Sequence, residues 1–253
     1  MRWRVVLVVL LALMAGTASA TAQSAPSGRF DGWAAAIIAA DWRDGADQPI
    51  EAFDNARRDL AAGFLAAGFD RATLVDYSLR PDRLPATPAS AAVAGVAEVT
   101  ARATRGCLLY FTAHGSPEGM VFGPDRMLSP TAMASLVRGW CQDRPTVVIV
   151  SACYSGIFVD GLAGPNRMIL TAARRDRSSF GCSAEATWPY FDGCVIQTLP
   201  TAGDFIALSQ SVRACVAARE AAEGLSPASE PQVRIGASMQ LLLPTLRFTR
   251  PPE

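Results

Sequence analysis

Apolar residues in this chain fall into short continuous runs separated by longer amphipathic stretches. Residues 33–40 (WAAAIIAA) contain no polar position, which predicts a strand buried on both faces. From Pro49 the apolar positions Ile50, Phe53, Leu60, Phe64 and Leu65 recur near helical spacing. Pro49 suits a first helical turn, and Gly68 is the stop signal. Residues 72–77 form the next strand candidate, 80–88 a proline-rich loop, and 89–104 a helix-compatible stretch. The strongest strands are 107–113 (CLLYFTA) and 146–152 (TVVIVSA). Between them, Ser129-Pro130 opens a helix with an N-cap hydroxyl and a proline at the first turn. A strand at 168–173, helices at about 190–199 and 204–223, and a short strand at 232–236 complete the pattern.

Continuous apolar strands alternating with helices imply an α/β domain with a mainly parallel sheet covered on both faces. In such sheets function gathers at the carboxyl ends of the strands. The two strongest strands are joined by one crossover helix, so they are expected to be parallel neighbours ending on the same side. The first ends at His114-Gly115 and the second at Cys153.

The first twenty residues read as an address. Arg2 and Arg4 precede an apolar run over 5–14, shorter than a bilayer requires. Ala18-Ser19-Ala20 then offers a cleavage site, and Ala20-Thr21-Ala22 would serve nearly as well. The expectation is a signal peptide at 1–20, a short linker at 21–30 and one domain at 31–253. The mature chain is expected to be exported, periplasmic or secreted, with no membrane attachment.

Composition removes whole classes of mechanism. All 23 basic residues are Arg, so a Schiff-base lysine, a Walker phosphate loop and a Ser-x-x-Lys hydrolase are excluded. A single His excludes metal sites needing two or three imidazoles, and no metal or other cofactor is expected. Zero net charge without a basic run argues against a nucleic-acid partner. No G-x-S-x-G motif is present, which disfavours a serine hydrolase.

The remaining chemistry is nucleophilic. A cysteine needs a base or cation to form thiolate near neutral pH, and histidine is the usual partner. A developing oxyanion needs backbone N–H donors. The expected site is a Cys153–His114 dyad, with the N–H groups of Gly115 and Cys153 as the oxyanion hole.

Four stretches resemble the legumain-type (C13) cysteine peptidases, which share the caspase-like fold. Tyr110 to Gly115 is similar to the family's strand ending in the catalytic His-Gly. Ser151 to Gly156 resembles its nucleophile motif, Ala-Cys-x-Ser-Gly. Thr171 to Cys182 resembles its pocket strand, and 33–58 its opening unit. The resemblance implies a three-layer α/β/α sandwich with about six strands. It implies His114 as base and Cys153 as nucleophile on a peptide or protein substrate. Ser178 and Ser179 would line the pocket for the residue before the cut, as would position 151. There the family carries an acid and this chain carries Ser151. The family's loop after the first strand also holds an Asn that orients the His. Here the loop has no Asn, and Asp41 or Asp44 is the available substitute; a plain loop or helix-capping acid is the other reading of Asp41.

Export favours disulfides among the six cysteines. Cys107 and Cys141 precede neighbouring strands, and their pairing is expected. Cys182 and Cys194 flank a short loop; their pairing would leave Cys215 free. The leading expectation is an endopeptidase, with cleavage after Asn as the inherited preference. A transpeptidase or transamidase using the same acyl-enzyme is the near alternative, and an inactive caspase-fold binding module the distant one. Only Asn55 and Asn166 could serve as self-cleavage sites after Asn, and Asn166 is expected to be the more exposed of the two.

Overall fold

A computed structural model describes residues 29–83, 86–124 and 126–249. The expected signal peptide lies outside the described residues. The elements run β1 (Trp33–Ala39), α1 (Ala52–Ala66), β2 (Leu74–Ser78), α2 (Ala89–Ala101) and β3 (Gly106–Thr112). Three short strands follow: β4 (Gly115–Ser116), β5 (Gly119–Val121) and β6 (Met127–Leu128). Then come α3 (Pro130–Cys141), β7 (Thr146–Ser151), α4 (Val159–Leu162) and β8 (Arg167–Thr171). The chain closes with α5 (Tyr190–Thr198), α6 (Phe205–Ala222), β9 (Gln232–Ile235) and α7 (Ala237–Leu242).

The central sheet has six strands in the order β2-β1-β3-β7-β8-β9. All pairs are parallel except β8–β9. Every residue of β1, β3 and β7 is buried, as strands covered on both faces require. One core holds Leu108, Tyr110, Val147 and Ile149 with Leu60 and Phe64 of α1 and Val195 and Leu208 of α5 and α6. The other holds Leu109, Phe111, Val148 and Val150 with Val96 of α2 and Met133 and Val137 of α3. Alternate strand residues thus feed opposite layers, giving the three-layer sandwich.

The helix starts follow their caps. The Ser129 hydroxyl accepts from the Ala132 amide at 3.3 Å, and Asp204 accepts from the Ala207 amide at 2.9 Å. The small sheet β4-β5-β6 was not foreseen, because strands of two or three residues carry no periodicity. The tail is helical at α7, and the Leu243, Leu246 and Phe248 that follow it are buried in the core.

Cys107–Cys141 forms as expected, with Cα atoms 6.2 Å apart. The second bridge corrects the expectation: Cys194 joins Cys215, Cα atoms 5.7 Å apart, and Cys182 is free. Cys194 lies on α5, which packs along α6, whereas the Cys182 loop turns toward Ile50 and Phe53. Asn166 is half-buried, as is Asn55. The Asn166 carbonyl accepts from the Thr146 amide at 2.9 Å, and its side chain donates to the Asp143 carbonyl at 2.8 Å.

Candidate active site

Strand register alone brings His114 and Cys153 together. Thr112 pairs with Ser151, and each candidate lies two residues beyond that rung, on one side of the sheet. The Ala113 amide continues the pairing to the Ser151 carbonyl at 3.1 Å. Gly115 makes the close approach possible. A Cβ there would stand 2.3 Å from the Cys153 carbonyl oxygen, so no larger residue fits.

Each side chain is held by a different neighbour. His114 Nε2 lies 2.8 Å from the Arg43 carbonyl oxygen, which can only accept. Nε2 therefore carries the proton, and Nδ1 of the neutral ring is left as the base. Phe53 packs edge-on against the imidazole, with ring centroids 5.2 Å apart. Cys153 Sγ accepts from the Ser179 amide at 3.3 Å. The Ser179 hydroxyl is 3.6 Å from the sulfur and its carbonyl 3.4 Å. Cys153 and His114 share no hydrogen bond with each other among the described residues, as is common before substrate binds.

The turn after Cys153 is tight. Tyr154 takes a left-handed conformation with φ of 57°, costly for a residue with a Cβ, and a single 3-10 turn follows over Ser155–Phe158. Three contacts hold that turn against the loop that follows β8. The Tyr154 amide donates to the Arg177 carbonyl at 2.8 Å. The buried Ser155 hydroxyl accepts from the Ala173 amide at 3.0 Å. Gly156 lies so close to the loop that a Cβ would stand 2.4 Å from the Arg175 nitrogen. The loop carrying Ser178 and Ser179 is thus fixed to the turn that follows Cys153.

Two predicted residues sit elsewhere than the site itself. Asp41 is buried and touches neither candidate; its Oδ1 accepts from the Trp42 amide at 2.8 Å and from Arg43 Nε at 3.0 Å. It locks the loop whose Arg43 carbonyl orients the imidazole. Ser151 is buried on β7, and its hydroxyl turns toward Asp192 of α5. Ser178 is half-buried beside Ser179.

The residues that sequence reasoning passed over are Arg43, Phe53, Cys182 and Asp192. Arg43 acts through its backbone, which no side-chain motif reveals. Burial pushes the Cys182 thiol well up, with the neighbouring charges of Cys153, Asp192 and Asp41 adding to the shift. Cys182 therefore stays a neutral thiol, packed against the cluster that holds Ile50 and Phe53. Among the described residues no cluster of His, Cys, Asp and Glu suits a metal ion.

A sheet of this order with a His and a Cys at adjacent carboxyl ends defines a caspase-like α/β protein. The chain superposes on caspase-1 from Spodoptera frugiperda with a TM-score of 0.57 at 14% identity, covering 80% of this chain and 86% of that one. Residues 90–199 match the Peptidase C13 family, a span containing His114, Cys153, Ser178 and Ser179. The chain thus has a caspase-like fold, and its likeness to the Peptidase C13 family over residues 90–199 supports a cysteine peptidase-type function. No curated protein sequence matches it significantly.

Proposed function

We propose that this protein is an exported cysteine endopeptidase in which Cys153 is the nucleophile and His114 the general base. The observation that carries it is the pairing of β3 with β7, which sets the only His beside a free Cys at one sheet edge. His114 Nδ1 takes the Sγ proton as sulfur attacks the scissile carbonyl carbon. The Gly115 and Cys153 N–H groups receive the oxyanion. Collapse breaks the C–N bond, and His114 returns the proton to the leaving amine. Water, deprotonated by His114, then cleaves the thioester and frees the second product. Ser178 and Ser179 line the pocket for the residue before the cut. Export is supported by the two disulfides, which an oxidising compartment maintains.

A diverse peptide mixture digested by the mature protein under mild reduction and read by mass spectrometry tests this. Cleavage that vanishes in Cys153→Ala and in His114→Ala is expected, and the residues before each cut name the pocket's preference. Ligated products beside hydrolysed ones would identify a transpeptidase. A folded wild type that cuts nothing would sink the peptidase reading.

A further inference from the structure

Asp192 is a charged group with no part in the chemistry above, and it is completely buried. It lies in the first turn of α5, beneath the carboxyl edge of the sheet. Burying a carboxylate costs several kcal/mol unless it is well bonded. Here three hydroxyls surround it. Tyr110 donates to Oδ1 at 2.5 Å and Thr112 donates to Oδ2 at 2.6 Å, and the Ser151 hydroxyl stands close enough to favour the charged carboxylate.

The origin of those hydroxyls is informative. Tyr110 and Thr112 belong to β3 and Ser151 to β7, and Thr112 and Ser151 are partners in the last rung of that ladder. His114 and Cys153 each follow that rung by two residues. An apolar residue in place of Asp192 would strand all three hydroxyls, while a carboxylate can accept from all of them at once.

We propose that Asp192 is a positioning residue for the Cys153–His114 pair: its carboxylate clamps the final rung of β3 and β7 and so fixes both side chains at the sheet edge. The proposal rests on the dyad reading above. It follows that the clamp fails when the carboxylate takes up a proton. A protonated acid must itself donate, and one of the three hydroxyls then loses its acceptor. Burial pushes the Asp192 carboxyl up to about 6, against the opposing pull of the Thr112, Tyr110 and Ser151 hydroxyls. The titratable groups facing it are Tyr110 and Cys182, and both are pushed up and stay neutral there. The charged residues of the packed helices point elsewhere. Arg57 of α1 pairs with Asp54, and Arg219 of α6 lies over the Tyr190 ring.

The test is the alkylation rate of Cys153 by iodoacetamide, followed by peptide mass mapping from pH 4.5 to 8.5. It needs no substrate. Wild type, Asp192→Asn, Thr112→Val and His114→Ala are compared, with near-ultraviolet circular dichroism reporting the fold. Asp192→Asn is expected to slow alkylation roughly 10- to 100-fold at pH 7.5, the scale of a misplaced reacting group. It should also lose a step near pH 6. Thr112→Val removes one hydroxyl donor, so the step should survive and move to higher pH. A folded Asp192→Asn with the wild-type rate and step would overturn the proposal. If that variant does not fold, an unmoved step in Thr112→Val would overturn it instead. An imidazole ordinarily titrates near 6.5, so the His114→Ala profile separates the two readings. Alkylation indifferent to His114→Ala would sink the dyad and the clamp together. Sensitivity to His114→Ala alone would sink only the clamp.

Discussion

At the amino edge of the central sheet, Cys107 and Cys141 are joined and Arg144 closes two helix ends. At the carboxyl edge, Cys153 and Cys182 are both free thiols. Arg144 donates to the Thr100 and Ala103 carbonyls at the end of α2, and to Trp140 and Cys141 at the end of α3. A guanidinium suits this task because helix carboxyl ends present unsatisfied carbonyls and partial negative charge. The polar groups of that edge satisfy one another, and the sulfur atoms are spent in a bond. At the other edge Tyr154 is held in a left-handed conformation, a carboxylate is buried, and the cysteine sulfur is held by an amide. The sulfur atoms are used up where the strands begin, while two free thiols and a buried carboxylate stand where they end. Parallel strands allow that division, since all of their carboxyl ends fall on one side.

The sharpest way to break this contrast is Cys153→Ala. Peptide cleavage is expected to fall at least about a thousandfold, with little change in thermal unfolding. A large loss of Tm would mean that the carboxyl edge carries stability too. The converse is Cys107→Ser with Cys141→Ser, which should cost about 2–4 kcal/mol of unfolding free energy. Its kcat/KM at 25 °C should stay within about twofold of wild type, since the bridge touches no site residue.

Asp192 places a stability cost at the carboxyl edge. Its carboxyl is raised above the ordinary value near 4, so between about pH 4 and 6 the folded state holds a proton that the unfolded state has released. Stability from this group is present below that window and is lost as pH rises through it. Urea titrations of wild type and Asp192→Asn should therefore diverge from pH 4 to 6, with wild type losing up to about 2–3 kcal/mol relative to the variant. Parallel curves would contradict this. Arg144→Ala should cost about 1–3 kcal/mol through its unpaired carbonyls, read as a lower urea midpoint, and leave kcat unchanged. The smallest effect belongs to Ser179→Ala. The amide that meets Cys153 remains, so kcat/KM on a good peptide should change less than about tenfold.

The sheet was legible because its central strands are unbroken apolar runs, and runs such as VVIV leave no choice of face. The juxtaposition of His114 and Cys153 was legible because each closes one of those runs. Cys107–Cys141 could be read from strand neighbourhood. Cys194–Cys215 could not, because it depends on how α5 and α6 turn toward each other. Asp41 was noticed as an acid in the right loop, but its contact is with Arg43 and not with the imidazole. Asp192 carries no motif. Its importance comes from Tyr110, Thr112 and Ser151, residues distant in sequence that converge only once β3 and β7 are paired.

The most direct measurement of the central claim is intact-protein mass spectrometry after acid quench of the enzyme turning over a cleavable peptide ester. A slow leaving acyl group should be found as a thioester on Cys153 alone. Its added mass should equal the acyl portion before the cut, and it should be absent in Cys153→Ala. Turnover that persists with no such adduct, or an adduct on another residue, would contradict the account.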